Sequence, residues 1–475
     1  MRHHRSGART HSPSIARPGR PGHIALCRHR HYLVHHIPDL ECPPVHRPKM
    51  QPPMNTDKHR WERPYSTLLR KGHNLSSERQ SPTSRILIPI LLTGLSGLPP
   101  LSIDMFLPSM PAMVREFQTQ PTHIQPAVTL FLMALGAAQL VFGPLSDRFG
   151  RRPILLIGLG CYALAGLGCL FAPTVGALIL ARVLQGFAGG SGPSVSRAVV
   201  RDIYGEIHAA RIMSYMATAI ALAPILAPII GGFLQTYFGW QAVFVVLSAL
   251  GAMFFFGYLW AVPETNNMMD PTALNPTRMI ANYRDLLSSR QYLGYTFMVA
   301  ILFWGMFAFI TNSSFVLITE LGVSPQLYGL CFGSVAVGLM IGAFLSGRLN
   351  NRLGSARIIQ IGSLIAAGAG MLLLGLKLAG VFSVITIIAP MCLFTIGGGM
   401  VRPQAMAGAI VPYPEKAGLA SALMGFIQMS TAGLFVTLFS QFYSASSISM
   451  VTAIAISGVI ALLVRRTLLP SGATS

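Results

Sequence analysis

Two charged side chains, each alone in an apolar stretch, are the residues of this sequence best placed to do chemistry: Asp104 and Arg182. A charge at the centre of a hydrocarbon layer costs on the order of 3 kcal/mol, so such groups usually face a partner or an aqueous cavity. If their two helices run in opposite directions, both side chains come to similar depths, and pairing between them is geometrically open. A second reading puts Asp104 in the headgroup region, since Pro108 and Pro111 soon end its helix. Four amides in apolar runs, Gln139, Gln185, Asn312 and Gln428, are candidates to line a substrate cavity, because an amide in hydrocarbon seeks a partner. Hydrogen bonding between helices explains each of them equally well. The cluster Phe303, Trp304, Met306, Phe307 and Phe309 suits an adaptable pocket wall, and a packing or lipid-facing role is as open for each.

Other chemistries find no support. There is no G-x-x-x-x-G-K-[ST] phosphate loop and no hydrolase elbow with a placed His and Asp. The expectation is therefore not an enzyme, and any energy source should be an ion gradient. The six cysteines form no disulfide framework. Cys27, His29, His31, His35, His36, Cys42 and His46 can be drawn as a metal site, but biased composition scatters such residues without geometry. No metal and no cofactor are expected.

The elements that must hold these residues follow from composition. The chain is 52% hydrophobic and only 11% charged, with a mean hydropathy of +0.55, whereas soluble domains carry roughly 25% charged residues. Residues 1–84 hold 15 of the 35 Lys+Arg, 5 of the 15 Asp+Glu and 11 of the 13 His. That basic His/Arg/Pro-rich extension cannot bury a core and is expected to be disordered, either as a solvated tail or as translated sequence upstream of a start such as Met50 or Met54. From Arg85 on, apolar stretches near 20 residues alternate with short polar breaks. Twenty helical residues span about 30 Å, the thickness of the hydrocarbon layer. Helices are predicted near 86–109, 124–144, 153–171, 174–197, 209–236, 240–261, 293–316, 326–346, 355–376, 380–402, 416–439 and 446–464. The fold class is thus an all-α membrane protein with twelve transmembrane helices in two six-helix halves. The halves are 85–264 and 292–475, joined by a linker at 265–291.

Loop charges set the orientation. Arg148, Arg151, Arg152, Arg197, Arg201, Arg211, Arg278, Arg284, Arg290, Arg348, Arg352, Arg357, Lys416, Arg465 and Arg466 fall on one side, leaving Arg115 and Lys377 on the other. Both termini and the linker are therefore expected in the cytoplasm. The net charge of +20 invites a nucleic-acid reading, but half of it lies in the opening extension and the rest is spread along loops, so no nucleic acid is expected. A repeat supports the division into halves. Gly143, Leu145, Arg148 and Gly150 recur as Gly347, Leu349, Arg352 and Gly354, at one constant offset (347 − 143 = 204).

The segment Gly143–Pro153, GPLSDRFGRRP, resembles the loop between helices 2 and 3 that marks the major facilitator superfamily. In that family the loop latches a cytoplasmic gate, which points here to Gly143, Asp147, Arg148, Gly150, Arg151 and Arg152. Physically, Asp147 can accept hydrogen bonds at a helix N-terminus, and the arginines can pair across the mouth. Leu101-Ser-Ile-Asp104-Met-Phe-Leu-Pro108 and Arg201-Asp202-Ile-Tyr204 are similar to the bicyclomycin-resistance (Bcr/CflA) branch of drug:proton antiporters. Arg182-Val-Leu-Gln185-Gly186 resembles a helix 4 motif associated in the family with proton coupling, which makes Asp104 and Arg182 the candidate coupling pair. The run Ala223–Gly232 looks like the antiporter motif of helix 5, carried here by Pro224, Pro228, Gly231 and Gly232, with Ala227 in place of the usual glycine.

Some members of the wider group carry a second acid shortly before the helix 1 aspartate; here that region holds Ser96, Gly97, Pro99 and Pro100. The resemblance therefore implies a proton-coupled exporter resting on Asp104 alone among helix 1 acids. Its cargo would be small neutral or amphiphilic drug-like compounds such as bicyclomycin or phenicols. The expected partners are that substrate, protons and the lipid bilayer, the expected state a monomer, and the expected site a bacterial inner membrane. An uptake permease for a small metabolite is the alternative.

Overall fold

The protein is described here by a computed structural model covering residues 82–442 and 447–468. The expectations placed on residues 1–81, including Cys27 and Cys42, lie outside that range. Among the described residues every regular element is helical, as a backbone must be when no water is present to satisfy its polar groups.

The first half contains α1 (Pro82–Asp104), α2 (Met110–Glu116), α3 (Pro121–Ile124), α4 (Pro126–Phe149), α5 (Arg151–Leu170), α6 (Val175–Gly189), α7 (Ser191–Phe238) and α8 (Gln241–Ala261). A short helix, α9 (Pro276–Ser288), lies in the link. The second half contains α10 (Arg290–Ser314), α11 (Pro325–Leu378), α12 (Val384–Ile410), α13 (Ala417–Phe442) and α14 (Ser447–Leu468). The last turns of the α10 rod, Phe315–Glu320, widen to π geometry.

Eleven stretches are long and apolar enough to cross a membrane among the described residues. One of them, α11, has 54 residues, about 80 Å at 1.5 Å per residue and more than twice the hydrocarbon thickness. Its backbone turns at Gly354 (φ 73°), so it makes two spans. Likewise α7 breaks at Gly205 (φ 62°): its first part continues α6 as the span Val175–Gly205, and its second part is the span His208–Phe238. Among the described residues twelve spans result, six before α9 and six after it.

Local chemistry explains where the rods start. Thr174, Ser289 and Ser324 each accept the N–H three residues on, and Ser383 with Thr386 forms a reciprocal cap. The repeat found in the sequence is a repeat of geometry as well. Gly150 (φ 98°) and Gly354 (φ 73°), 204 residues apart, are both turns that a side chain would strain. At one position the prediction differs. The tenth span was predicted to end at residue 402, but α12 continues to Ile410, which draws Arg402 into the rod.

The outer surface is as oily as the interior. Leu164, Leu180 and Phe344 stand 68%, 63% and 62% exposed in mid-helix. An aqueous surface would not tolerate that band; a lipid-facing one requires it. Aromatic Tyr237, Phe238 and Trp260 are exposed at helix ends, where an interface favours such rings.

Small residues let the halves approach. A Cβ on Gly329 would lie 2.6 Å from the Pro228 carbonyl oxygen, and one on Gly232 would collide with the Pro325 carbonyl. Thus Pro228 and Gly232 sit where α7 meets the first span of α11. Gly231 packs on the Met105 carbonyl. Pro224 lies one turn before Pro228 in the same helix.

Candidate functional site

Arg182 occupies a closed nest in the first half. It is 0% exposed, and its guanidinium donates to Ala127 O (3.4 Å), Gln185 Oε1 (2.8 Å) and Ser102 O (3.2 Å). The Ser102 carbonyl is free to accept because α1 ends just beyond it: the Phe106 N–H turns back to Ile103 instead. The guanidinium carbon also lies over the rings of Phe131 at 4.1 Å, Phe106 at 4.8 Å and Phe244 at 6.0 Å, distances at which ring faces attract a cation. Ser102 also bonds the Tyr162 hydroxyl. The charge is therefore satisfied by carbonyls and rings, without an acid.

Asp104 lies nearby in sequence yet apart in chemistry. It is 4% exposed, and among the described residues it makes no hydrogen bond and no ion pair. The pairing with Arg182 left open by the sequence is not formed. Nor does Asp104 sit at a helix mouth, since the first span runs on to Glu116 through a 3-10 turn at Leu107–Ser109 and α2. Tyr328, at the start of α11, shares a hydrogen bond with Ser313 Oγ at 2.9 Å.

Around Asp104 the two halves meet. Gln125 donates to Asn312 Oδ1 at 2.9 Å, while the Asn312 amide also donates to Ala308 O at 2.9 Å. Ser314 faces the Met110 sulfur at 4.0 Å. Asn312 thus joins α10 to the start of the second span and faces no open space. Gln185 is also fully buried, its carbonyl spent on Arg182, so it too lines no cavity here. Gln139 rests on Met429 Sδ at 3.6 Å, at the contact of α4 with α13. Trp304 donates to Thr431 Oγ1 at 3.0 Å and stacks on Phe435 at 4.9 Å.

The opposite end, rich in arginine, carries the signature turn. Arg151 pairs with Asp147, bonds Ser146 Oγ at 2.7 Å and reaches Asp202 Oδ2 at 3.2 Å. Arg152 donates to Leu259 O at 2.7 Å, and Arg148 lies over Phe149 at 5.3 Å. These arginines hold the first half together and make no bond to the second among the described residues, unlike the pairing across the mouth expected of them. Arg197 does cross, to Ser421 Oγ at 3.4 Å. Gly143 has open space beside it.

The helix N-terminus expected to bond Asp147 belongs to Glu264 instead. Glu264 accepts the N–H groups of Arg151 (2.9 Å) and Arg152 (3.0 Å), the first two residues of α5. Asn266 Nδ2 donates to Asp147 O at 3.1 Å, and so does the Asp270 N–H. A Cβ on Gly150 would meet the Glu264 carboxylate, so the glycine is needed twice, for its φ and for this contact. The link is thus a strap across the signature turn.

Partial burial works against the charge of Glu264, but four backbone N–H groups, from Asn266, Arg151, Arg152 and Thr265, outweigh it and hold the carboxyl below the usual range. A depressed value stabilises the folded state above the ordinary glutamate value of about 4.3, and that contribution is lost as pH falls through the lowered folded value. Glu264→Gln should therefore lower the melting temperature at neutral pH and flatten its fall on acidification. Parallel acid profiles for both proteins would show that Glu264 is not the responsible group.

In the second half, α10, α11, α12 and α13 line a half-open cleft. Phe303, Met306 and Phe394 supply apolar wall, and Gln428, Thr395 and Arg402 supply polar groups. Of the amides singled out in the sequence, Gln428 is the one on this cleft. Arg402 escaped sequence reasoning because the tenth span was predicted to end at residue 402, which placed it at a helix end. Glu264 escaped because nothing in the composition of the segment after α8 shows what it docks on.

Comparison with known proteins agrees with this architecture. Residues 95–436 match the family model for the Major Facilitator Superfamily. The chain is 31% identical to a bicyclomycin resistance protein homolog of Haemophilus influenzae, over 74% of this chain and 88% of that one. It is 30% identical to multidrug resistance protein D of Escherichia coli, over 76% and 89%. Among solved structures, a D-xylose-proton symporter superposes with a TM-score of 0.62 at 16% identity, over 80% and 98%. These matches place the chain among membrane transporters rather than enzymes.

Proposed function

Because the chain belongs to the Major Facilitator Superfamily, we propose that it is a proton-coupled exporter of small amphiphilic or neutral drug-like compounds. Its relatives named for bicyclomycin and multidrug resistance support that reading. The observation that carries it is Asp104: a single buried acid of the first span, free of any hydrogen-bonding or ionic partner among the described residues. An acid held for structure would have partners, whereas a coupling acid must be able to exchange its proton.

On this reading the arginine-rich end is cytoplasmic, by the positive-inside rule, and the protein sits as a monomer in a bacterial inner membrane with both termini inside. The halves 85–264 and 292–475 rock about the contacts of α7 with α11 and of α4 with α13, with 265–291 as their link. Contacts such as Gln125 with Asn312 then close the outer face while the cleft near Arg402 serves the inner one. Asp104 would take a proton from outside when those contacts part. Substrate arriving from the cytoplasm would favour its release. Arg182 would hold the end of α1 in place, and Asp147, Arg151 and Arg152 would restrain the gate.

Everted vesicles energised by respiration test the direction. An exporter loads them with drug and stops when the pH gradient is collapsed; an importer leaves them empty. A susceptibility panel in an efflux-deficient host, including bicyclomycin and a phenicol, would identify the cargo.

A further inference from the structure

Arg402 is the charged residue of the α10–α13 cleft, and its setting differs from that of Arg182. Eight residues separate it from the end of α12 at Ile410 (410 − 402 = 8), so it stands about 12 Å inside the rod. It is nevertheless exposed and lines the cleft. Among the described residues it makes no hydrogen bond and no ion pair, and no acid lines the cleft. The neighbouring Thr395 hydroxyl is already spent on Val335 O (2.9 Å) and Cys392 O (3.0 Å). Gln428 is not: its side chain is 5% exposed, faces the same cleft and has no partner among the described residues. Two groups with seven N–H donors between them, one cationic, thus face one space walled by Phe303 and Met306.

The sign of the cleft points the same way. With Arg402 as its charge and no acid on its lining, the field there favours an anion and opposes a cation. A guanidinium also matches a carboxylate in shape, through two parallel hydrogen bonds.

We propose that this cleft binds an amphiphile bearing one acidic group, with the anion on Arg402 and Gln428 and the apolar body against Phe303 and Met306. The inference deepens the exporter reading by naming a substrate class, acidic amphiphiles, beyond the neutral compounds considered above.

The test measures equilibrium binding of 2-naphthoate and its neutral counterpart 2-naphthamide to the full chain in phosphatidylcholine nanodiscs. The acid should bind at least about tenfold more tightly, the worth of one charge-assisted hydrogen bond. Arg402→Gln should abolish that preference and leave naphthamide affinity within about twofold, while Arg402→Lys keeps part of it. If Arg402→Gln does not fold, the wild-type ratio and Gln428→Leu, which should lower it, decide the matter. Equal wild-type affinities, absence of naphthoate binding, or a preference that survives Arg402→Gln would overturn the proposal. So would loss of the preference when phosphatidylglycerol enters the disc, since the cation would then serve lipid phosphate. No gradient or flux is involved, so a failure of export leaves this result intact, and the reverse holds too.

Discussion

Everted vesicles carrying Asp104→Asn should show no drug accumulation driven by a pH gradient, while protein level and drug binding stay near wild type. The amide has the size of the acid and cannot trade a proton, so it removes the coupling step and little else. The side chain is buried and bonds to nothing among the described residues, so no structural partner is orphaned by the change. The expected loss is in net accumulation, to the level of vesicles without the protein. Downhill exchange of drug across the membrane should continue, because rocking of the halves rests on α7 and α11 and on α4 and α13. A variant that still pumps uphill would remove Asp104 from the mechanism.

Arg182→Lys should be the most damaging conservative change in the chain. Lysine keeps the charge but offers a point cation, where the nest presents three acceptors spread around a plane and rings at 4.1 Å and 4.8 Å. An ammonium there would leave buried carbonyls unmet and lose contact with the rings. The expected destabilisation is about 3 kcal/mol or more. It would read as a sharp fall in monodisperse protein on size-exclusion chromatography and in melting temperature. Because the Ser102 carbonyl lies in the last turn of α1, the same change should loosen the segment that carries Asp104. Wild-type stability in Arg182→Lys would show that the nest is not what holds that segment.

The fold was readable in advance because a bilayer imposes length and polarity on every span. A run of twenty apolar residues has few other uses, and the helices found differ from the predicted ones mainly at their ends. The turn at Gly150 was legible because its copy at Gly354 recurs at a fixed offset. Asp104 and Arg182 were legible as anomalies, since a charge in oil needs a reason. What the sequence did not show was that Arg182 is met by carbonyls and rings while Asp104 has no hydrogen-bonding or ionic partner among the described residues. Nothing in the spacing distinguishes an arginine met by an aspartate from one met by carbonyls and phenylalanine rings. The amides divide in the same way. Gln185 and Asn312 proved to be bonded inward, and Gln428 to face the cleft, because a one-residue rotation of a helix exchanges those outcomes. Arg402 was hidden because the predicted span stopped at it, just before Pro403, a residue that breaks helices in water and is carried by helices packed in a membrane. The docking of Glu264 on α5 joins residues more than a hundred positions apart, and the composition of the segment after α8 carries no trace of it.

The most direct measurement of the coupling claim is proton release on drug binding. Purified full-length protein, in weakly buffered solution near neutral pH, would be mixed with a drug that the susceptibility panel identifies, and the pH change followed with an indicator dye. The account predicts release of protons by the wild type and none by Asp104→Asn at equal drug occupancy. Release of the same size from both proteins, or none from either, would contradict it.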